Sequence, residues 1–206
     1  SSQNGKSINV LDALFTATSA TCVTGLVVVN TMEQWTAFGK IVIFCLIQIG
    51  GLGFMTFIVL GSLALHKKIT LSDRLLIKES YNQNNIVGMV KYIKKIIFGT
   101  LFIEGIGAIF LAMAFIPLFG LKKGIVYGIF HSVSAFCNAG IDVLGTSSFM
   151  EYVSSPLVSL TTMFLIVAGG LGFTVWHDVR MNLQDVAGQK RPLKRLFTRL
   201  HLQSKM

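Results

Sequence analysis

Two tetrads, Cys22-Val23-Thr24-Gly25 and Cys137-Asn138-Ala139-Gly140, are where this sequence could do chemistry. No Cys-x-x-Cys or Cys/His spacing marks a metal site, and all three cysteines sit in apolar runs. What each tetrad offers is backbone. It ends on glycine, the residue that enters backbone angles closed to residues with a Cβ. A short helix followed by a strand through such a glycine can aim consecutive carbonyl oxygens into an axial pore, where they replace a cation's hydration shell. The short helices end at the pore, so their negative C-terminal dipoles favour cations. Small size at the base of the strand explains Cys22 and Cys137 better than redox work, because they hold equivalent places.

That equivalence comes from a repeat. A shift of 115 residues overlays Phe15, Ser19, Ala20, Cys22, Gly25 and Val28 on Phe130, Ser134, Ala135, Cys137, Gly140 and Val143. A shift of 119 overlays G-G-L-G-F at 50–54 on G-G-L-G-F at 169–173. Each copy therefore reads as a short helix, a Gly-bearing stretch, a loop and a full span centred on G-G-L-G-F. The alternative, two external loops with a turn glycine, is weak once both copies match.

The elements that must hold the tetrads are membrane elements. The chain is 206 residues long, 52% hydrophobic and only 13% charged, against about 25% charged in soluble domains. The uncharged run 41–65 has the length to cross a bilayer with tilt. Runs 96–121, apolar apart from Glu104, and 156–176, which opens on Pro156 and closes on Trp176, are the other two spans. Segments 8–22 and 124–137 are too short to cross and read as re-entrant helices. The expected layout is a first unit over 1–65 without its leading span (pore helix 8–22, filter 22–26, span 38–65) and a linker over 66–95. A second unit covers 96–179 (span 96–121, pore helix 124–137, filter 137–141, span 156–176), followed by a basic tail over 180–206. The fold class is all-α integral membrane, built from tandem span–P-loop–span repeats.

Charge sets the orientation. Of 18 basic and 9 acidic residues, 14 and 4 fall in 66–95 and 177–206, and the other loops balance. The positive-inside rule makes those two stretches cytoplasmic, so the net charge of +9 is a topology signal and no nucleic-acid partner is expected. The start, S-S-Q-N-G-K-S, has no initiator Met, basic n-region or cleavable apolar stretch, so no signal peptide is expected and the chain reads as cut from something longer.

S-A-T-C-V-T-G-L, S-A-F-C-N-A-G-I-D and I-Q-I-G-G-L-G-F-M-T-F resemble the Trk/Ktr/HKT superfamily of potassium transporters, most closely the membrane subunit of bacterial Ktr systems, over roughly residues 10–185. The resemblance implies four span–P–span units around one pseudo-fourfold, potassium-channel-like pore, in a multi-pass protein of the bacterial cell (plasma) membrane. It implies a homodimer of such pores, potassium uptake that is often sodium-dependent, and a cytoplasmic nucleotide-binding regulatory ring of the KtrA type. Carried over by position, K+ is held by carbonyls around Cys22, Val23, Thr24 and Gly25, and around Cys137, Asn138, Ala139 and Gly140. No covalent cofactor and no enzymatic activity are implied. The chain departs from the family in having two filter segments and neither a third-unit gating loop nor a fourth unit, so it is expected not to conduct alone.

Other residues carry sharper and blander readings. Asp142 stands at the outer mouth, either concentrating cations or merely solvated. Glu104, inside a span, is costly unless paired or hydrated, and a hydrogen bond to a neighbouring helix is preferred to a place on the ion path. For G-G-L-G-F, close packing of small residues is preferred to a hinge. The linker 66–95 either docks the ring or contacts anionic lipid. Two other functions remain to be weighed. A tetrameric two-span potassium channel is disfavoured by the linked units. An intramembrane hydrolase using Ser134 and His131 is disfavoured because Thr16 matches His131 and no G-x-S-x-G or H-E-x-x-H occurs.

Overall fold

The computed structural model describes residues 8–53, 89–145, 147–172 and 175–176. Among them every regular element is a helix: α1 (Val10–Thr21), α2 (Thr31–Gln34), α3 (Ala37–Leu52), α4 (Met89–Phe119), α5 (Leu121–Phe136) and α6 (Pro156–Gly170), with a 3-10 turn at Met150–Tyr152. Residues 66–88 of the expected linker 66–95, and the basic tail 180–206, lie outside the described residues.

Local chemistry explains the helix starts. Asn30 accepts from the Met32 and Glu33 N–H groups (2.9 and 3.3 Å) to open α2, and Thr36 accepts from Gly39 N–H (3.3 Å) to open α3. Pro156 occupies the first turn of α6, where its missing N–H costs nothing. In hydroxyl-rich α1, Thr16 and Thr21 each donate to the carbonyl four residues back (Asp12 and Ala17, both 2.8 Å), which satisfies them within their own helix.

Only α4 among the described residues is long and apolar enough to cross a membrane, over Ile93–Phe119. Its helix starts at Met89, so Lys91, Lys94 and Lys95 lie in its first turns rather than in a linker. The runs 41–65 and 156–176, also expected as spans, show shorter helices, because both stop within the G-G-L-G motif. Gly53 (φ 80) and Gly172 (φ 78) adopt the left-handed region and donate to Gly50 O (3.1 Å) and Gly169 O (3.2 Å). Residues 54–65 fall outside the description.

The centre of the molecule is α5, whose residues 130–136 are all buried. It doubles back on α4 through a single residue, Gly120 (φ 79). The two helices run antiparallel along a seam of small residues. A Cβ at Gly124 would run into Ile116, and one at Gly128 into Ala112 and Ala108. One turn further on, Ser132 Oγ donates to Glu104 O (2.6 Å). Positions 124, 128 and 132 repeat every four residues, the spacing that lets helices in lipid approach closely. An aromatic cluster closes the other side: Phe115 against Tyr152 (5.5 Å between ring centres), Phe119 against Tyr127 (5.1 Å) and His131 against Phe149 (5.0 Å).

Candidate functional site

Both tetrads begin where a short helix ends, and the chain leaves each helix in the same way. Cys22, Val23 and Thr24 N–H groups donate to Thr18, Ala20 and Ser19 carbonyls (2.8, 3.3 and 2.9 Å). Cys137, Asn138 and Ala139 donate to Val133, Ala135 and Ser134 (2.9, 3.1 and 2.8 Å). These are Schellman closures, matched bond for bond by the shift of 115. The left-handed residue such a closure needs is usually glycine. Here it is Val23 (φ 56) and Asn138 (φ 61), followed two residues later by Gly25 (φ 84) and Gly140 (φ 67). A β-branched residue in that region is a true outlier, and Val23 holds it because two hydrogen bonds of the closure fix the turn.

The structure brings the tetrads together. A Cβ on Gly25 would run into the Ala139 carbonyl oxygen, so the two strands pass side by side there. Behind each strand the G-G pair of the following helix presses on the helix end: a Cβ on Gly50 would strike Thr21 O, and one on Gly169 would strike Phe136 O. The preference for close packing at G-G-L-G-F is met, and the same motif also ends the helix. Because Thr18, Ser19 and Ala20 carbonyls are already bonded, the end of α1 is closed by its own strand.

The strands differ in how they continue. After the second tetrad, Ser134 Oγ donates to Ile141 O (2.6 Å) and Val143 N–H donates to His131 Nε2 (3.3 Å). His131 Nδ1 lies 2.7 Å from Tyr127 O. A carbonyl can only accept and an N–H can only donate, so the partners fix the neutral Nδ1–H tautomer. Both ring nitrogens and the Ser134 proton are thus committed to backbone, which leaves the hydrolase reading without a base or a free nucleophile. In the first copy Thr16 bonds its own helix, and Ser19 Oγ is buried without a partner among the described residues. Leu26 and Val28 are 60% and 54% exposed, where Ile141 and Val143 are each 2% exposed.

His131→Ala is therefore expected to destabilise the protein by about 2–4 kcal/mol, from the cavity and the orphaned Val143 N–H. Thermal melting of the detergent-purified full-length protein checks this, and transport by the protein that still folds is expected to survive.

Asp142 is half-buried: its carboxylate accepts from Leu144 N–H (3.1 Å) and Ser148 Oγ (2.8 Å). It organises the loop after the strand. Glu104 is 4% exposed and accepts from Gln48 Nε2 on α3 (3.0 Å), which is the hydrogen bond between helices expected of it. Gln48 was missed by sequence reasoning, although a lone amide in the apolar run 41–65 was a signal in plain view. The small-residue seam of α5 was missed too, since only its partner helix reveals it.

Among the described residues the protein is thus helical, with one helix long and apolar enough to cross a membrane and two matched turns side by side. The family model of TrkH cation transport proteins matches residues 1–191, and the chain belongs to that family. It is 47% identical over 178 residues to the potassium/sodium uptake protein NtpJ of Enterococcus hirae, which covers 86% of this chain and 39% of that protein. It is 48% identical over 177 residues to the Ktr system potassium uptake protein B of Bacillus subtilis (86% and 40%), and 45% identical over 172 residues to that of Vibrio alginolyticus (84% and 38%). The chain thus spans about two fifths of the length of these relatives.

Proposed function

We propose that this chain supplies two filter strands of a Ktr-type potassium uptake protein of the bacterial plasma membrane. K+ is the transported ion, with Na+ as coupling ion, and the tetrads hold it by backbone carbonyls. The observation that carries this reading is the pair of matched closures, with left-handed residues at 23 and 25 and again at 138 and 140. In a regular β-strand successive carbonyls point to opposite sides. Positive φ at every second residue turns them toward one side instead, which is what a ring of carbonyls around a dehydrated cation requires. The contact of Gly25 with Ala139 supports a shared axis for both strands.

In this reading α1 and α5 are the pore helices, α3 and α6 the inner spans and α4 the outer span of the second unit, within a pseudo-fourfold pore of span–P-loop–span units. The names of the relatives support potassium as the cargo and a Ktr-type assembly as the setting: a homodimer in lipid, bearing a cytoplasmic nucleotide-binding ring of the KtrA type. The exposed face of α4, with Phe98, Leu101, Phe102 and Ile109, fits contact with acyl chains.

The test is uptake. A bacterium stripped of its own potassium uptake, expressing the full-length protein, is expected to regain growth in low potassium and to take up K+ in preference to Na+. Purified protein that gives no potassium-selective flux in liposomes would end this reading.

A further inference from the structure

We infer that Glu104 is a positioning residue for selectivity, holding the base of the second filter strand against the inner helix of the preceding unit through Gln48 and Cys137. The inference rests on the filter reading above. Three elements meet at this one residue. Its backbone carbonyl accepts from Ser132 Oγ of the pore helix (2.6 Å), its Oε2 accepts from Gln48 Nε2 of α3 (3.0 Å), and its Oε1 lies 3.9 Å from Cys137 Sγ. Cys137 is both the C-cap of α5 and the first residue of the tetrad.

The corner has no slack. Gly51, three residues beyond Gln48, faces Cys137 so closely that a Cβ would strike its Sγ and Cβ. With α3 pressed against Cys137 on one side and Ser132 fixing α4 to α5 on the other, the carboxylate fills the space between. An apolar side chain would fill it without the cost of a carboxylate in a membrane interior. A carboxylate adds direction, because its bonds act only over short range and along set lines. Asn138, the next residue, is already in the left-handed region (φ 61), so a displaced Cys137 re-aims the carbonyls that follow. The device is private to this junction among the described residues: the shift of 119 that overlays the G-G-L-G-F runs puts Val167 where Gln48 stands.

The test uses the full-length protein in a bacterium lacking its own potassium uptake, with rates normalised to the amount of protein in the membrane. Wild-type protein that transports no K+ removes the filter reading itself. Given wild-type transport, Glu104→Ala is expected to raise the half-saturating K+ concentration and lower K+ over Na+ discrimination, each about tenfold, while the normalised maximal rate stays within about twofold. Gln48→Leu moves both in the same direction by less, and it carries the test alone where the alanine variant fails to accumulate. The double variant is expected to be no worse than Glu104→Ala, as for residues acting as one unit. Glu104→Gln, which keeps a carbonyl acceptor for Gln48, is expected to restore discrimination. Unchanged discrimination in Glu104→Ala and Gln48→Leu, or a Glu104→Gln protein as impaired as the alanine variant, overturns the inference.

Discussion

Gly50→Ala and Gly169→Ala are expected to abolish accumulation of folded full-length protein, while Gly105→Ala on α4 leaves it intact. Inserting a methyl group into a packed interior costs about 1–3 kcal/mol when neighbouring side chains can move aside. At Gly50 and Gly169 the obstacle is a backbone carbonyl oxygen, that of Thr21 and of Phe136, with its own carbon also within contact. Neither can retreat, because the helix end it belongs to is tied into the strand through the closures at Val23 and Asn138. The cost is therefore expected above that range, at more than about 3 kcal/mol. At Gly105 nothing among the described residues lies within 4 Å of an added Cβ, so the change there brings only the better helix propensity of alanine. Size-exclusion of tagged protein from membranes, followed by thermal melting, reads all three. Normal accumulation and melting of Gly169→Ala would show that α6 does not bear on the end of α5 as described.

Gly25→Ser and Gly140→Ser are expected to lower potassium over sodium discrimination, with the larger loss at Gly25. Both positions have left-handed backbone, φ 84 and 67, where a residue with a Cβ costs about 1–2 kcal/mol. At Gly140 that conformational cost stands alone, since nothing among the described residues lies within 4 Å of an added Cβ. At Gly25 the added atom also strikes the Ala139 carbonyl oxygen of the neighbouring strand, with Gly140 Cα 3.6 Å away. A single substitution there disturbs two strands. With every 1.4 kcal/mol worth about tenfold in affinity, Gly140→Ser is expected to reduce discrimination several-fold and Gly25→Ser by about tenfold or more. Sodium competition against potassium uptake measures the order. Unaltered discrimination in both variants would remove the tetrads from the ion path.

The tetrads, the short helices and the first turn at Pro156 were legible because each is written locally. The repeat marks the tetrads, length marks α1 and α5 to within three residues at either end, and proline marks its own position. The stop inside G-G-L-G was not legible. Hydropathy runs unbroken across Gly53, and nothing in an apolar run says which of its glycines turns left-handed. The start of α4 was read late because Lys91, Lys94 and Lys95 look like linker, although lysine is also a good helix former. The bond of Asp142 to Ser148 was not legible, because the two stand six residues apart in an irregular loop with no pattern to announce it. Glu104 and Gln48 stand 56 residues apart on separate helices, and only the approach of α3 to α4 makes a pair of them. Local chemistry was readable from one sequence, whereas contacts between elements required the fold.

The two adjacent glycines of α3 face different ways: Gly50 abuts Thr21 of its own repeat, while Gly51 abuts Cys137 of the next. The surfaces that meet at that second contact are unlike, an inner-helix glycine on one side and a helix-ending cysteine on the other. Such a joint is heterologous, and it gives the array a direction, as in a row of hooks and eyes. Units joined this way add head to tail, and they either close into a ring or run on without end according to the rotation at each step. The G-G dipeptide thus serves both contacts, one within a repeat and one between repeats.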